Sequence, residues 1–164
     1  MTIKPSRQIL ANIGTIIATL GGIGWLPLAP GTWGSLVCLP FAWFLIPLFG
    51  TIELIIICCG LFLLGAWACE RYSRLTGTHD SSHCVIDKFL GQLLVLSFLP
   101  LSFYLYFFAF VLFRFFDIYK AWPANWVDSN VDGGVGIMLD DVIAAVQALV
   151  ILAIGSFVFN VLIT

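Results

Sequence analysis

The segment FLGQLLVLSFLPLSFYLYFFAFVLF, from Phe89 to Phe113, decides the fold. It is apolar almost throughout, with Pro100 near its middle. Read as one helix it crosses a bilayer once, and the polar segments on its two sides, 70–88 and 114–141, then face opposite compartments. Read as a hairpin turning at Pro100 it returns to its starting side, although an arm of about eleven residues at ~1.5 Å each is too short to cross a ~30 Å hydrocarbon core unaided.

Charge favours the hairpin. With the amino terminus in the cytoplasm, a hairpin puts Lys4, Arg7, Arg71, Arg74, Lys88, Arg114 and Lys120 on the inner face, which is where basic residues accumulate. The acids join them, except Glu53. A single helix leaves Arg114 and Lys120 outside.

The rest of the chain reads outward from that hairpin. Only 10% of its 164 residues are charged and 61% are apolar, a balance that excludes a water-soluble domain. A net charge of −2 without a basic run excludes nucleic acid as a partner. The expected fold class is all-α: a polytopic membrane helix bundle with four to five short spans and an N-terminal amphipathic helix, forming one integral membrane domain over 1–164. Residues 1–20 are read as an interfacial helix with Ile9, Leu10, Ile13, Ile16, Ile17 and Leu20 on one face and Gln8, Asn12, Thr15 and Thr19 on the other. Residues 21–34 form a glycine-rich loop, and 35–163 the helical bundle. The apolar segments of that bundle are Ser35–Phe49, Thr51–Cys69, Phe89–Phe113 and Val142–Ile163. The five cysteines, an odd number mostly inside apolar segments, imply no disulfide framework. Cys84 lies in a polar segment, but Leu90 stands six positions on where a cysteine-dependent phosphatase loop needs arginine.

The candidate chemistry is carboxylate and cation. Asp140 and Asp141 follow Gly133-Gly134-Val135-Gly136 at the start of an apolar helix. One acid would serve to complement the helix dipole. Two, with Asp87 on a separate helix, make an oxygen-rich set suited to Mg²⁺, which keeps waters and completes its shell with phosphate. Arg114, Asp117 and Lys120 fall three apart on one stripe, either a snorkelling interfacial row or an anion clamp. The segment Ala29-Pro30-Gly31-Thr32-Trp33-Gly34-Ser35 offers backbone N–H groups and the hydroxyls of Thr32 and Ser35 to a phosphate, though a helix cap explains it equally well. His79 and His83 flank Asp80 in a polar loop and are read as solvated.

Four blocks in order, APGTWGS (29–35), VIDKFLG (85–91), FRFFDIYKAWP (113–123) and GGVGIMLDD (133–141), resemble the phosphatidylglycerophosphatase A family. These are bacterial membrane enzymes that remove the terminal phosphate of phosphatidylglycerophosphate. The resemblance implies a multi-pass protein of the bacterial cytoplasmic (inner) membrane, with its site on the cytoplasmic face. Its substrate would be a phospholipid within the bilayer and its cofactor Mg²⁺; the sequence does not identify protein partners. The implied catalytic set is Asp87, Asp117, Asp140 and Asp141, with Asp87, Asp140 and Asp141 holding the metal. Thr32, Ser35, Arg114, Lys120, Gly133 and Gly134 form the substrate-binding set. Metal-bound water would attack phosphorus in line while Arg114 and Lys120 offset charge on the phosphoryl oxygens.

Two positions depart from the family pattern. Ala121 stands where the family has proline, a mild change in loop rigidity. Lys88 stands where the family has glutamate beside the first aspartate, replacing a metal ligand by an ammonium. Three readings of Lys88 follow: it points away, it takes the cation's place as an internal counter-ion, or it disables the enzyme while preserving the fold. Impaired activity is the expectation. The alternative functions are a catalytically silent homologue and a small transport or channel subunit, the latter requiring charge at mid-membrane.

Overall fold

The computed structural model describes residues 12–77 and 82–163. Among them are seven α-helices, one 3-10 turn (Ile23–Trp25) and no strand. The helices are α1 (Ile13–Ala18), α2 (Pro30–Leu45), α3 (Thr51–Thr76), α4 (Ile86–Leu96), α5 (Phe103–Tyr119), α6 (Ala124–Asn130) and α7 (Gly133–Ile163).

Most of the expected amphipathic helix lies in 1–11, outside the described residues. Its remainder, α1, starts at Asn12, whose side chain accepts from the Gly14 N–H at 3.0 Å. Its polar face turns inward: Thr15 and Thr19 are buried while Ile13 and Ile16 are exposed. A helix on a water-bathed surface does the reverse, so the outward isoleucines mark an apolar exterior.

The glycine-rich loop ends sooner than expected. Pro30 takes the first position of α2, where its missing N–H costs nothing, so 30–34 are helix and not loop. α3 runs seven residues past Cys69 and so carries Glu70, Arg71 and Arg74. It stops at Gly77, which is left-handed (φ +68) and donates its N–H to the Ser73 carbonyl at 2.9 Å.

The Pro100 hairpin is real. α4 ends at Leu96 and α5 begins at Phe103, and Lys88 at the start of α4 lies 3.8 Å from Asp117 near the end of α5. The two helices are therefore antiparallel and their outer ends meet. α7 begins nine residues before Val142, so Asp140 and Asp141 do not open a helix but sit in its third turn, roughly 10 Å along the axis. The dipole-capping explanation for the pair fails. That task falls to Glu70, whose Oε2 accepts from the Gly134 N–H at 3.0 Å.

α4 is the axis of the bundle, in contact with α2, α3, α5 and α7. Packing uses small residues: Cys38, Ala42, Ala66, Ala68, Ala144, Ala145 and Ala148 are buried, whereas Phe44, Ile52, Leu63, Phe103 and Phe157 are about 70% exposed or more. Small residues inside and large apolar residues outside is the pattern of helices packed in lipid. α3 and the 133–158 part of α7, each of mean hydropathy 2.3, are long and apolar enough to cross a membrane. α2 and α5 are shorter, at roughly 24–26 Å.

Among the described residues, the basic side chains gather at one pole. Arg71 and Arg74 lie near the end of α3, Lys88 at the start of α4, and Arg114 and Lys120 at the end of α5. Glu53 lies at the other pole, beside the Thr51 hydroxyl that donates to Ser97 O at 3.4 Å.

Candidate functional site

Three helix segments bring the charges together. α4 supplies Asp87 and Lys88 from its first turn, the end of α5 supplies Arg114, Asp117 and Lys120, and the third turn of α7 supplies Asp140 and Asp141. The buried charged residues among those described are Asp87, Asp117, Asp140 and Asp141. Burial of carboxylates on this scale requires partners.

Lys88 is the hub of one half of the site. Its Nζ lies 2.8 Å from Asp87 Oδ2, 3.0 Å from Asp141 Oδ2 and 3.8 Å from Asp117 Oδ1. The first turn of a helix disfavours a cation, so these carboxylates hold the ammonium there against the helix dipole. Asp87 has a second task, since its Oδ1 accepts the Lys88 backbone N–H at 2.7 Å, one of the donors a helix start leaves without an internal partner. Arg114 Nη1 donates to Asp117 Oδ2. The first turn of α2 covers this half: a Cβ on Gly31 would come within 2.7 Å of Lys88 Cδ and 3.3 Å of Arg114 Nη1. Glycine is what lets that backbone approach.

Lys120 is the hub of the other half. It ends α5 in a left-handed conformation, φ +47, and its Nζ reaches Asp128 Oδ1 at 2.5 Å and Asp140 Oδ2 at 2.7 Å. Burial works against its ammonium, but the hydrogen bonds it donates to Asp128 and Asp140 more than offset this and hold its pKa above the ordinary lysine value. Gln147 on α7 steadies the following loop, donating to Trp122 O at 3.0 Å and Ala121 O at 3.3 Å.

Asp140 and Asp141 are neighbours on a helix and so point about 100° apart. Asp140 therefore faces Lys120 while Asp141 faces Lys88. The three carboxylates around Lys88 are Asp87, Asp117 and Asp141, rather than the expected Asp87, Asp140 and Asp141.

Other candidates sit elsewhere. Ser35 is buried and donates back to the Gly31 carbonyl at 3.2 Å, a bond within α2, while Thr32 is half-buried in the first turn of that helix. Gly133 and Gly134 pack α7 on α3. A Cβ on Gly134 would collide with the Ala66 carbonyl oxygen, and Gly133 lies against Glu70 Oε2. His83 Nδ1 is bonded to Gly24 O at 2.7 Å. His79 and Asp80 lie outside the described residues. Asp128 and Glu70 were not among the sequence candidates. Asp128 rides on a short helix that no periodicity ties to Lys120, and Glu70 falls just past an apolar segment whose helix continues further than its hydropathy.

Mg²⁺ needs oxygen ligands at about 2.0–2.1 Å in octahedral array. Among the described residues no group of three or more acidic, histidine or cysteine side chains is placed to hold a metal ion. The carboxylates with the right chemistry enclose an ammonium instead. As arranged, the residues do not fit Mg²⁺.

The model of the phosphatidylglycerophosphatase A family matches residues 16–156. A phosphatidylglycerophosphatase A of Escherichia coli K12 is 37% identical over 159 residues, covering 89% of each chain. One from Haemophilus influenzae is 39% identical over 150 residues, covering 90% of this chain and 92% of the relative. A Bacteroides thetaiotaomicron protein, provisionally named a phosphatidylinositol-3-phosphatase, is 34% identical over 156 residues, covering 88% of this chain and 94% of its own. No solved structure matches.

Proposed function

We propose that this chain, which belongs to the phosphatidylglycerophosphatase A family, hydrolyses the terminal phosphomonoester of phosphatidylglycerophosphate to phosphatidylglycerol and phosphate. The observation that carries the reading is the joining of four buried aspartates to Lys88, Arg114 and Lys120 at one pole of an apolar bundle. The setting is a bacterial inner membrane crossed by four to five short spans, with the charged pole on the cytoplasmic side. The gathering of the described basic residues at that pole supports this orientation.

The chain's own residues suffice for an outline. Lys120, the most accessible cation of the site at 30% side-chain exposure, meets the phosphate first, exchanging Asp128 for a phosphoryl oxygen. Arg114 adds a second donor and Asp117 orients its guanidinium. Water attacks phosphorus, the bond from phosphorus to the glycerol oxygen breaks, and that oxygen ends with the proton that the attacking water releases. A site carboxylate receives the proton that water gives up; Asp141 Oδ1, buried and without a hydrogen-bond partner, is an acceptor of that kind. With Lys88 in place turnover is slow, because one ammonium supplies less charge at phosphorus than a dication does.

The test is phosphate release from phosphatidylglycerophosphate in detergent, by this chain and by Lys120→Met. Release that falls ~100-fold or more in the variant supports the proposal. No release from this chain overturns it in favour of a silent homologue. Phosphatidylinositol 3-phosphate, run in parallel, separates the two headgroups borne by the relatives' names.

A further inference from the structure

We infer that the Lys88 ammonium and a divalent cation compete for one seat, and that Lys88 holds it in this chain. The inference builds on the proposed reaction but concerns the site's occupancy, which can be measured without turnover.

Three carboxylates from three helices converge on the Lys88 nitrogen at 2.8, 3.0 and 3.8 Å, and their side chains are 3%, 1% and 5% exposed. Acids packed so closely out of water repel one another, and the site assembles only around positive charge. The Lys88 stem lies against Gly31 and its side chain is 21% exposed, so the ammonium is a fitted part of the site with limited access to solvent. An ammonium also under-fills the seat. Its nitrogen stays 3.8 Å from Asp117 Oδ1, beyond hydrogen-bond range, and the buried Asp141 Oδ1 is left without a hydrogen-bond partner. That oxygen is the independent sign that the seat suits a ligand richer in charge and coordination than lysine.

The roles then follow. With Lys88 seated, the fold is complete without metal and gains nothing from it. Without the ammonium, Asp87 and Asp141 lose their cation and Asp117 keeps only Arg114, which leaves a net-negative set of hard oxygens for Mg²⁺ or Mn²⁺ to neutralise.

The experiment measures the thermal midpoint of detergent-solubilised protein, with and without about 10 mM MgCl₂, for this chain and for Lys88→Ala, Lys88→Glu and Lys88→Arg. Mn²⁺ paramagnetic resonance serves as a second readout that does not depend on melting. The expected result is a shift under about 1 °C and no bound Mn²⁺ for this chain and Lys88→Arg, against a rise of about 4 °C or more with one bound Mn²⁺ for Lys88→Ala. Lys88→Glu melts lowest without metal and gains most from it; should it fail to fold, Lys88→Ala decides. A metal shift in this chain equal to that of Lys88→Ala overturns the inference, as does the absence of both shift and bound Mn²⁺ in every variant. Failure of phosphate release alongside the expected binding pattern sinks the proposed reaction and leaves this inference standing.

Discussion

Lys120 and Asp140 stand 20 residues apart in the chain and 2.7 Å apart in space, joining the last residue of the α4–α5 hairpin to the third turn of α7. The contact ties a strained position, a non-glycine residue at φ +47, to a buried acid. Strain of this kind persists only where the surroundings over-determine it.

Asp140→Asn should therefore loosen the end of α5 as well as lower activity. Because Lys120 keeps Asp128, the stability loss should be about 1–2 kcal/mol, below the ~3–5 kcal/mol for breaking a fully buried pair. A double-mutant cycle with Lys120→Met, read by thermal melts, should give a coupling of roughly 1–2 kcal/mol. Additive effects would mean that the two side chains do not meet.

The pH dependence has a definite sign. The folded pKa of Lys120 lies above its unfolded value of about 10.5, so its pairing stabilises fully below about pH 10.5 and is lost as pH rises through the folded value. Lys120→Met should flatten the alkaline fall in melting temperature and leave the neutral range unchanged in slope. An identical alkaline fall in both proteins would assign that loss to other groups.

Gly134→Ala should be among the most damaging single-carbon changes in the chain. Its methyl group would strike the Ala66 backbone carbonyl, which cannot step aside as a side chain can. A loss of about 1–3 kcal/mol, or failure to accumulate in the membrane, is expected. Gly60→Ala, with nothing within 4 Å of the added carbon, is the matched control and should be neutral or slightly stabilising.

Gln92→Met should stabilise. Gln92 is fully buried on α4, and neither its amide oxygen nor its nitrogen has a hydrogen-bond partner. A thioether of similar length removes both unmet groups, for a gain of about 1–2 kcal/mol in thermal or denaturant unfolding. A lower midpoint would show that the amide is satisfied in the membrane-embedded protein.

The hairpin was legible because Pro100 interrupts an apolar segment and because charge bookkeeping penalises the single helix. The start of α7 was not, since Gly133-Gly134-Val135-Gly136 reads as loop by propensity. Two distant partners make it helical: Ala66, against which only glycine fits, and Glu70, which caps the first turn. The site residues were legible as a set but not in their pairing. Asp140 and Asp141 look like one bidentate feature in a linear string, and helical geometry sends them to different lysines. The inward turn of Thr15 and Thr19 shows the same limit, because periodicity separates two faces without saying which one meets lipid.

The direction of α7 has a practical result. It leaves the charged pole at Gly133, and its Leu149, Val150, Leu152 and Ala153 line an apolar cavity of about 610 Å³ together with Pro100 at the far turn, before the helix runs on to Ile163. A reporter fused after that helix would therefore sit on the face opposite the aspartates. It could be made bulky without crowding substrate, and its accessibility to a membrane-impermeant label would reveal by elimination which compartment the reaction faces.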